Sequence, residues 1–377
     1  MRFYMFHLMP WPYLEDDFRE KYESAWVTLS NSKYDPEKGV DVYNNYLDQM
    51  EYADELGYDG VCVNEHHQTA YGLMPSPNIM AATLIPRIKR GKIAVLGNAI
   101  SLRDNPIRIA EEIAMLDVLS DGRIINGFVR GIGSEYHSFS KKPTESRERF
   151  HEAHDLIVKA WTEPGPFEFY GKYYKLRYVN PWVLPKQKPH PEIWMPSQGS
   201  SETIAWTAKK RYHYVQTYSS INTIRRVFNQ FKEEVDKCGY EVSPYQMGWA
   251  LPIYVADTDE KALREAEQGI DYLFNKAFKM PKELFFPSGY LTLESAPRVL
   301  KSKQGIGTSK LAFKYLVENE YVLVGSADTV RQKLETYQKE FGFGNLLPMM
   351  QFGNLPHEKT LENMKLFAEK VMPALRK

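Results

Sequence analysis

Short apolar runs alternate with longer amphipathic ones from end to end of this 377-residue chain, and eight of the short runs read as buried strands. They are residues 2–7, 58–64, 92–99, 123–129, 192–196, 213–217, 247–255 and 345–352, nearly all followed by a helical pattern. That alternation marks βα units around a parallel sheet, and eight units are the number that closes a barrel. The expected fold is α/β, a (β/α)8 TIM barrel over residues 1–377 as one domain, with insertions at its C-terminal face. Tyr43, Tyr46, Leu47, Met50 and Ala53 recur at three and four residues, as do Ile109, Ile113 and Leu116, so each helix has one face to lay on the sheet. Asn105-Pro106 starts a helix, Gly57 ends one, and Asp257 is expected to cap another that begins at Lys261.

Three segments exceed the minimal alternation, each where a loop at a strand's C-terminal end belongs. Residues 10–40 are rich in aromatics, among them Trp11, Tyr13 and Trp26. Residues 167–179, with Gly171-Lys172 between aromatic runs, read as a β-hairpin. Residues 279–322 carry Phe285, Phe286 and Tyr290 and the run Lys301-Ser302-Lys303-Gln304-Gly305-Ile306-Gly307, which reads as a mobile lid or as a plain excursion.

Charge excludes some partners. Forty-eight basic residues balance 48 acidic ones, so no global field favours nucleic acid or an acidic membrane surface. Cys62 and Cys238 give neither a disulfide framework nor metal spacing, and a reducing cytoplasm fits them. No apolar run is long enough to cross a bilayer or serve as a signal peptide, so a soluble, unprocessed protein is expected.

Three constellations can carry chemistry. Glu65-His66-His67 follows the second strand, where barrel enzymes place ionisable groups. No His-x-His pair on the first strand and no His-Glu-x-x-His supports a metal. His66 therefore reads as a hydrogen-bond donor or general acid/base, and His67 as its neighbour at the pocket or in packing; structural histidines remain the plain alternative. After the fourth strand comes Arg130-Gly131-Ile132-Gly133-Ser134-Glu135-Tyr136, with Arg147 and Arg149 at the next helix start, a set that suits an anion. It lacks the third glycine of a dinucleotide motif, so NAD(H) is not expected. After the fifth, Ser197-Gln198-Gly199-Ser200-Ser201-Glu202-Thr203 opens a helix and is either a phosphate seat or an ordinary cap.

These residues, with Tyr71-Gly72-Leu73 and Pro75-Ser76-Pro77, Ala110-Glu111-Glu112, Leu116 to Arg123, Val324-Gly325-Ser326 and Phe367 to Pro373, resemble the bacterial luciferase-like flavin-dependent monooxygenases over almost the full length. The resemblance implies a barrel that holds reduced FMN at its mouth, where it activates O₂ as a flavin C4a-(hydro)peroxide to oxygenate an organic substrate; the aromatics expected to roof the mouth, Trp11, Tyr13, Phe285, Phe286 and Tyr290, suggest that this substrate is small and apolar or aromatic. It implies His66 as the catalytic residue, and Asn98 and Ala99 beneath the ring. It also implies Arg130, Glu135, Tyr136, Arg147, Gly199, Ser200, Ser201 and Thr203 around the cofactor, with Arg149 competing with Arg147. His7, Trp11, His67, Phe285, Phe286 and Tyr290 would face the substrate. Where many relatives carry a reactive cysteine, this chain has Val129. A separate NAD(P)H:flavin reductase and a homodimer are implied as well. Two rivals stay open: a deazaflavin-dependent hydride-transfer enzyme on the same fold, and a non-catalytic flavin-binding subunit.

Overall fold

The computed structural model describes residues 1–293, 296–297 and 306–376. Its strands are β1 (Arg2–Phe6), β2 (Gly60–Val63), β3 (Lys92–Ala99), β4 (Ile124–Val129), β5 (Phe167–Tyr170), β6 (Lys175–Val179), β7 (Glu192–Ser197), β8 (His213–Thr217), β9 (Met247–Ala256), β10 (Leu323–Ser326) and β11 (Asn345–Met349). Eight of them close a parallel barrel in the order β1-β2-β3-β4-β7-β8-β9-β11, with β11 pairing back to β1. All eight expected strands are barrel strands, and β5 and β6 form the expected antiparallel hairpin. β2 and β9 are buried at every position, as strands covered on both faces must be, which is why they read as unbroken apolar runs. Tyr4 of β1 and Trp194 of β7 meet edge to face at 5.0 Å, although their strands are not neighbours, so the interior is filled by side chains.

β10 lies outside the barrel and was not foreseen. β9 is long enough to serve twice: its residues 248–252 pair with β11, and its residues 253–256 carry β10. Four residues ending in Gly325-Ser326 are too short for a period to show.

The helices follow their stripes. Pro36–Glu55 buries Val42, Tyr46, Leu47, Met50 and Ala53, and stops where Gly57 turns at φ 82°. The expected cap at Asp257 is corrected: Thr258 accepts the Lys261 N–H, whereas Asp257 pairs with the Lys261 ammonium at 2.6 Å. That helix, Asp259–Asp271, widens into a π-helical turn, Tyr272–Ala277. Of the expected lid, residues 294–295 and 298–305 lie outside the described residues; Lys282–Phe285 and Phe313–Glu318 are short helices. Among the described residues no helix is long and apolar enough to cross a membrane.

β3 and β4 set the floor of the site. A Cβ on Gly97 would fall 2.6 Å from the Gly127 carbonyl oxygen, and one on Gly127 would fall 2.5 Å from that of Val95, so only glycines let these strands approach. The pairing register shifts between Val95 and Asn98, which throws Leu96 and Gly97 toward the mouth.

Candidate active site

The C-terminal ends of β1 to β4, β7 and β8 surround a cavity of about 220 Å³. Its wall includes Phe6, His66, Gly97, Arg130, Ser197 and Thr217, one from each strand or the turn that follows it.

His66 is the ionisable group at one end. Its Nδ1–H donates to Glu135 Oε1 at 3.0 Å, and the second carboxylate oxygen accepts the Ile132 N–H at 2.8 Å. Glu135 is only 1% exposed, so the carboxylate is fixed by these bonds rather than by water. With Nδ1 committed, the imidazole offers Nε2 to the cavity. Trp26 and Tyr71 press edgewise on the ring, at 5.3 and 5.0 Å. Glu135, expected beside the cofactor, thus works first on His66.

The other end is cationic. Arg130 lies over the Tyr290 ring, 4.5 Å from its centroid, and donates to Ser146 Oγ and the Tyr290 carbonyl. Arg147 reaches Glu202 at 3.4 Å. Burial, and then the charge of Arg130, pull Arg147 below the ordinary guanidinium range, with Glu202 opposing them. A buried guanidinium that a second cation pushes down is one that an anion in the cavity would relieve. Burial would raise Glu202, but hydrogen bonds from its own backbone, Thr292 and Ser200, together with Arg147, outweigh that and keep it low. Ser200 caps the helix Ser201–Lys210 and also donates to Glu202 at 2.8 Å, so the seat is a cap as well. Thr203 lines the cavity; Gly199, at φ 93°, and Ser201 do not. Arg149 is spent on the carbonyls of Ser101 and Arg103, which leaves Arg147 as the helix-start arginine on the cavity.

Several expected residues sit elsewhere. Asn98 and Ala99 are fully buried behind the wall, because the register shift gives the floor to Leu96 and Gly97. Tyr136 is buried with its hydroxyl on the Arg130 carbonyl, holding that turn. His7 is not on the wall: Met9 N–H donates to its Nδ1 at 2.9 Å, and its Nε2–H donates to Gln49 at 2.8 Å. His67 donates to Glu65 at 2.7 Å, and Glu65 also takes Arg103 at 2.6 Å and the Ala99 N–H at 3.1 Å. Trp11 packs on Tyr13 and Tyr34 away from the cavity, and Tyr13 is half exposed. Phe285, Phe286 and Tyr290 do line the mouth.

Other wall residues were missed. Trp26, Tyr71, Tyr218 and Phe278 line the cavity from four different loops; Trp26 and Tyr71 stood in segments the sequence singles out, without a role at the site, and no local pattern announces Tyr218 or Phe278. His151 lies on the helix that carries Arg147, one turn further along; burial and then Arg147 hold it down to about 4, so it is neutral at pH 7.

The pattern that defines the luciferase-like monooxygenases matches residues 22–342. The chain belongs to that family. The alkanal monooxygenase beta chain of Vibrio harveyi is 27% identical over 262 residues, which cover 68% of this chain and 78% of the relative. Two solved structures share the luciferase-like fold over nearly the whole molecule. One is the oxygenating constituent of 3,6-diketocamphane monooxygenase from Pseudomonas putida, a type II Baeyer-Villiger enzyme in complex with FMN (TM-score 0.75, 18% identity, 99% of this chain and 98% of that one). The other is an F420-dependent secondary alcohol dehydrogenase (TM-score 0.67, 17% identity, 91% and 96%).

Proposed function

We propose that this luciferase-like chain is the oxygenase component of a two-component FMNH₂-dependent monooxygenase that acts on a small apolar or aromatic organic substrate. The observation that carries the reading is the pairing, across one cavity, of a carboxylate-held imidazole with a two-guanidinium seat. Reduced FMN, when bound, supplies the electrons that let O₂ react with an organic molecule. Arg130, Arg147, Ser200 and Thr203 would hold its phosphate, with the helix N-terminus behind them. Gly97, on the cavity wall beside Leu96, gives a flat ring backbone to lie on.

His66 would take and return a proton through Nε2 while Glu135 keeps the ring's orientation and tautomer. Phe285, Phe286 and Tyr290 would cover the mouth and exclude water, the role proposed for the segment around residues 279–322. No nicotinamide fingerprint occurs in the sequence, and a fold neighbour is described as an oxygenating constituent, so a separate NAD(P)H:flavin reductase is the proposed partner. A dimer and a cytoplasmic setting belong to the same proposal.

With FMN, the reductase and NADH, the protein should consume O₂ in a substrate-dependent way; with NADH alone it should not. His66→Ala should keep FMN binding while coupled turnover falls on the order of 10²–10⁴-fold, the range of general acid/base assistance, with H₂O₂ appearing instead. Full coupling in that variant would sink the role of His66. The F420-dependent fold neighbour favours a second reading, hydride transfer from a reduced deazaflavin without O₂. Ligand extracted from native host cells separates the two, with absorbance near about 450 nm for flavin and about 420 nm for deazaflavin.

A further inference from the structure

Four aromatic side chains share the end of the cavity remote from the cationic seat. Trp26 comes from the link after β1, Tyr71 from the loop after β2, Tyr218 from the end of β8 and Phe278 from the segment after β9. The seat's donors follow β4 and β7 instead; β8, which ends at Tyr218, is the neighbour of β7, while β1, β2 and β9, which precede the other three, lie further round the rim.

The four rings form one wall. Trp26 stacks on Tyr71 at 4.9 Å and 23°, Tyr71 leans on Phe278 at 4.9 Å, and Tyr218 meets Phe278 at 4.8 Å and 89°. None is more than 5% exposed. Trp26 Nε1–H donates to the Ala277 carbonyl, which fixes the link after β1 to the segment that carries Phe278. His66 touches both Trp26 and Tyr71, so the wall begins beside the imidazole.

The wall has one polar point, where the Tyr71 and Tyr218 hydroxyls lie 2.7 Å apart. Tyr218 is brought there at φ 44°, a left-handed conformation that an aromatic residue rarely adopts and that clusters at ligand sites. Packing alone gives no reason to twist the backbone so that two phenols meet inside an apolar wall. When Tyr218 donates to Tyr71, the Tyr71 hydrogen can turn toward an oxygen that enters the cavity. Arg130 and Arg147 stand at the other end of the cavity, so this half favours an uncharged guest.

We propose that this wall is the substrate subsite, and that it takes a flat, uncharged, mostly apolar ring compound whose one carbonyl oxygen is bound by the Tyr71–Tyr218 hydroxyl pair. This rests on the oxygenase reading only for what is then done to the guest, not for its binding.

The test is equilibrium dialysis of the full-length protein without flavin, against 1-tetralone and the hydrocarbon of the same shape, tetralin. Wild type should bind the ketone about tenfold more tightly, the worth of one buried neutral hydrogen bond. Tyr71→Phe with Tyr218→Phe should bring the ketone down to the tetralin value and leave tetralin unchanged, and each single substitution, which keeps one hydroxyl of the pair, should give a partial loss. Trp26→Ala should weaken both ligands. Equal binding of the two by wild type, or a ketone preference that survives both phenylalanine substitutions, would overturn the subsite. The wild-type comparison decides even where a variant fails to fold. An FMN titration of the same wild-type sample keeps the readings apart: ketone preference without FMN binding leaves the subsite standing and removes the flavin reading, and the converse removes only the subsite.

Discussion

Glu135 Oε1 stands 3.0 Å from His66 Nδ1 at the cavity edge, and the Ile132 N–H holds the other oxygen of the same carboxylate. Glu135 reaches this position because Ile132-Gly133 opens a short helix, Gly133–Ser138, whose third residue it is. A carboxylate accepts only, so it fixes which ring nitrogen carries the hydrogen. Glu135→Gln keeps the shape but can present an amide N–H to Nδ1 and favour the opposite tautomer. Coupled turnover should fall by about tenfold or more, since proton transfer by a placed side chain contributes on the order of 10²–10⁴-fold. FMN affinity should hold. Stopped-flow turnover beside an FMN titration reads both, and unchanged coupling would show that His66 does not depend on this partner.

Arg147 and Arg149 part company in the fold. Arg147 faces the cavity, while Arg149 donates to the Ser101 and Arg103 carbonyls. Arg147→Ala should weaken FMN binding by roughly 10–100-fold, in line with the loss of a charged hydrogen bond, and should change riboflavin binding little, because riboflavin has no phosphate. Arg149→Ala should lower thermal stability and leave the FMN-to-riboflavin ratio alone. The reverse pattern would move the phosphate away from this seat.

Much of this arrangement was legible in the sequence, for definite reasons. Barrel strands are apolar on both faces, so their runs stand out, and the loops that follow them must carry the ionisable groups. His66, Arg130 and Arg147 were picked out that way, and all three line the cavity. The misses share one cause, that facing is decided in three dimensions. Asn98 and Ala99 end the strand and so were placed at the mouth, but the register shift after Val95 hands the wall to Leu96 and Gly97. Trp11 and Trp26 lie in the same aromatic link, and only the Trp26 bond to Ala277 shows which one the fold turns inward. Tyr218 depends on a positive φ that no propensity foretells.

His7 looked like a pocket residue and is a buried structural one, held to about 4 by desolvation. Its ordinary value is 6.5, so below that the unfolded chain takes up a proton that the folded chain refuses until about pH 4. A folded pKa below the unfolded one means that stability is lost as pH falls through the window from 6.5 to 4, and is fully present above it. The loss from this site should approach about 3 kcal/mol at the acid end. His7→Gln, which cannot charge, should lessen the pH dependence of urea unfolding across that window, to which His151 still contributes, whatever it does to stability at pH 8. A slope equal to that of wild type would mean that His7 is not the buried neutral group described.

Ile79, Met115, Val118 and Leu119 stand 49–69% exposed on the helices Pro77–Leu84 and Ile107–Leu119, which pack on each other. Such a cluster on adjacent helices fits the proposal that a second copy covers it. Met115→Glu with Leu119→Glu places two buried, unpaired charges in each half of that contact. Sedimentation should then shift from dimer to monomer at micromolar protein while the melting temperature changes little. A wild type that already sediments as a monomer would end the proposal.

Gly133 is where the segment around Phe285 rests on the barrel. A Cβ there would meet Pro287 Cδ at 2.3 Å, the Phe285 carbonyl oxygen at 2.4 Å and that of Leu284 at 2.5 Å. Two of these are backbone atoms, so Gly133→Ala has to push the segment outward rather than turn a side chain. Tyr290 donates to the Gly131 carbonyl at 2.6 Å and its ring lies against Arg130, so the displacement should be felt along the mouth. If this segment excludes water during turnover, Gly133→Ala should bind FMN nearly as well as wild type yet release more of its consumed oxygen as H₂O₂, by about twofold to tenfold, a modest part of what water exclusion is worth at such a site. Tyr290→Phe removes one hydroxyl without crowding and should leak less. Peroxide yield per NADH oxidised, measured with the reductase in excess, ranks the three proteins, and equal yields would show that this contact does not guard the cavity.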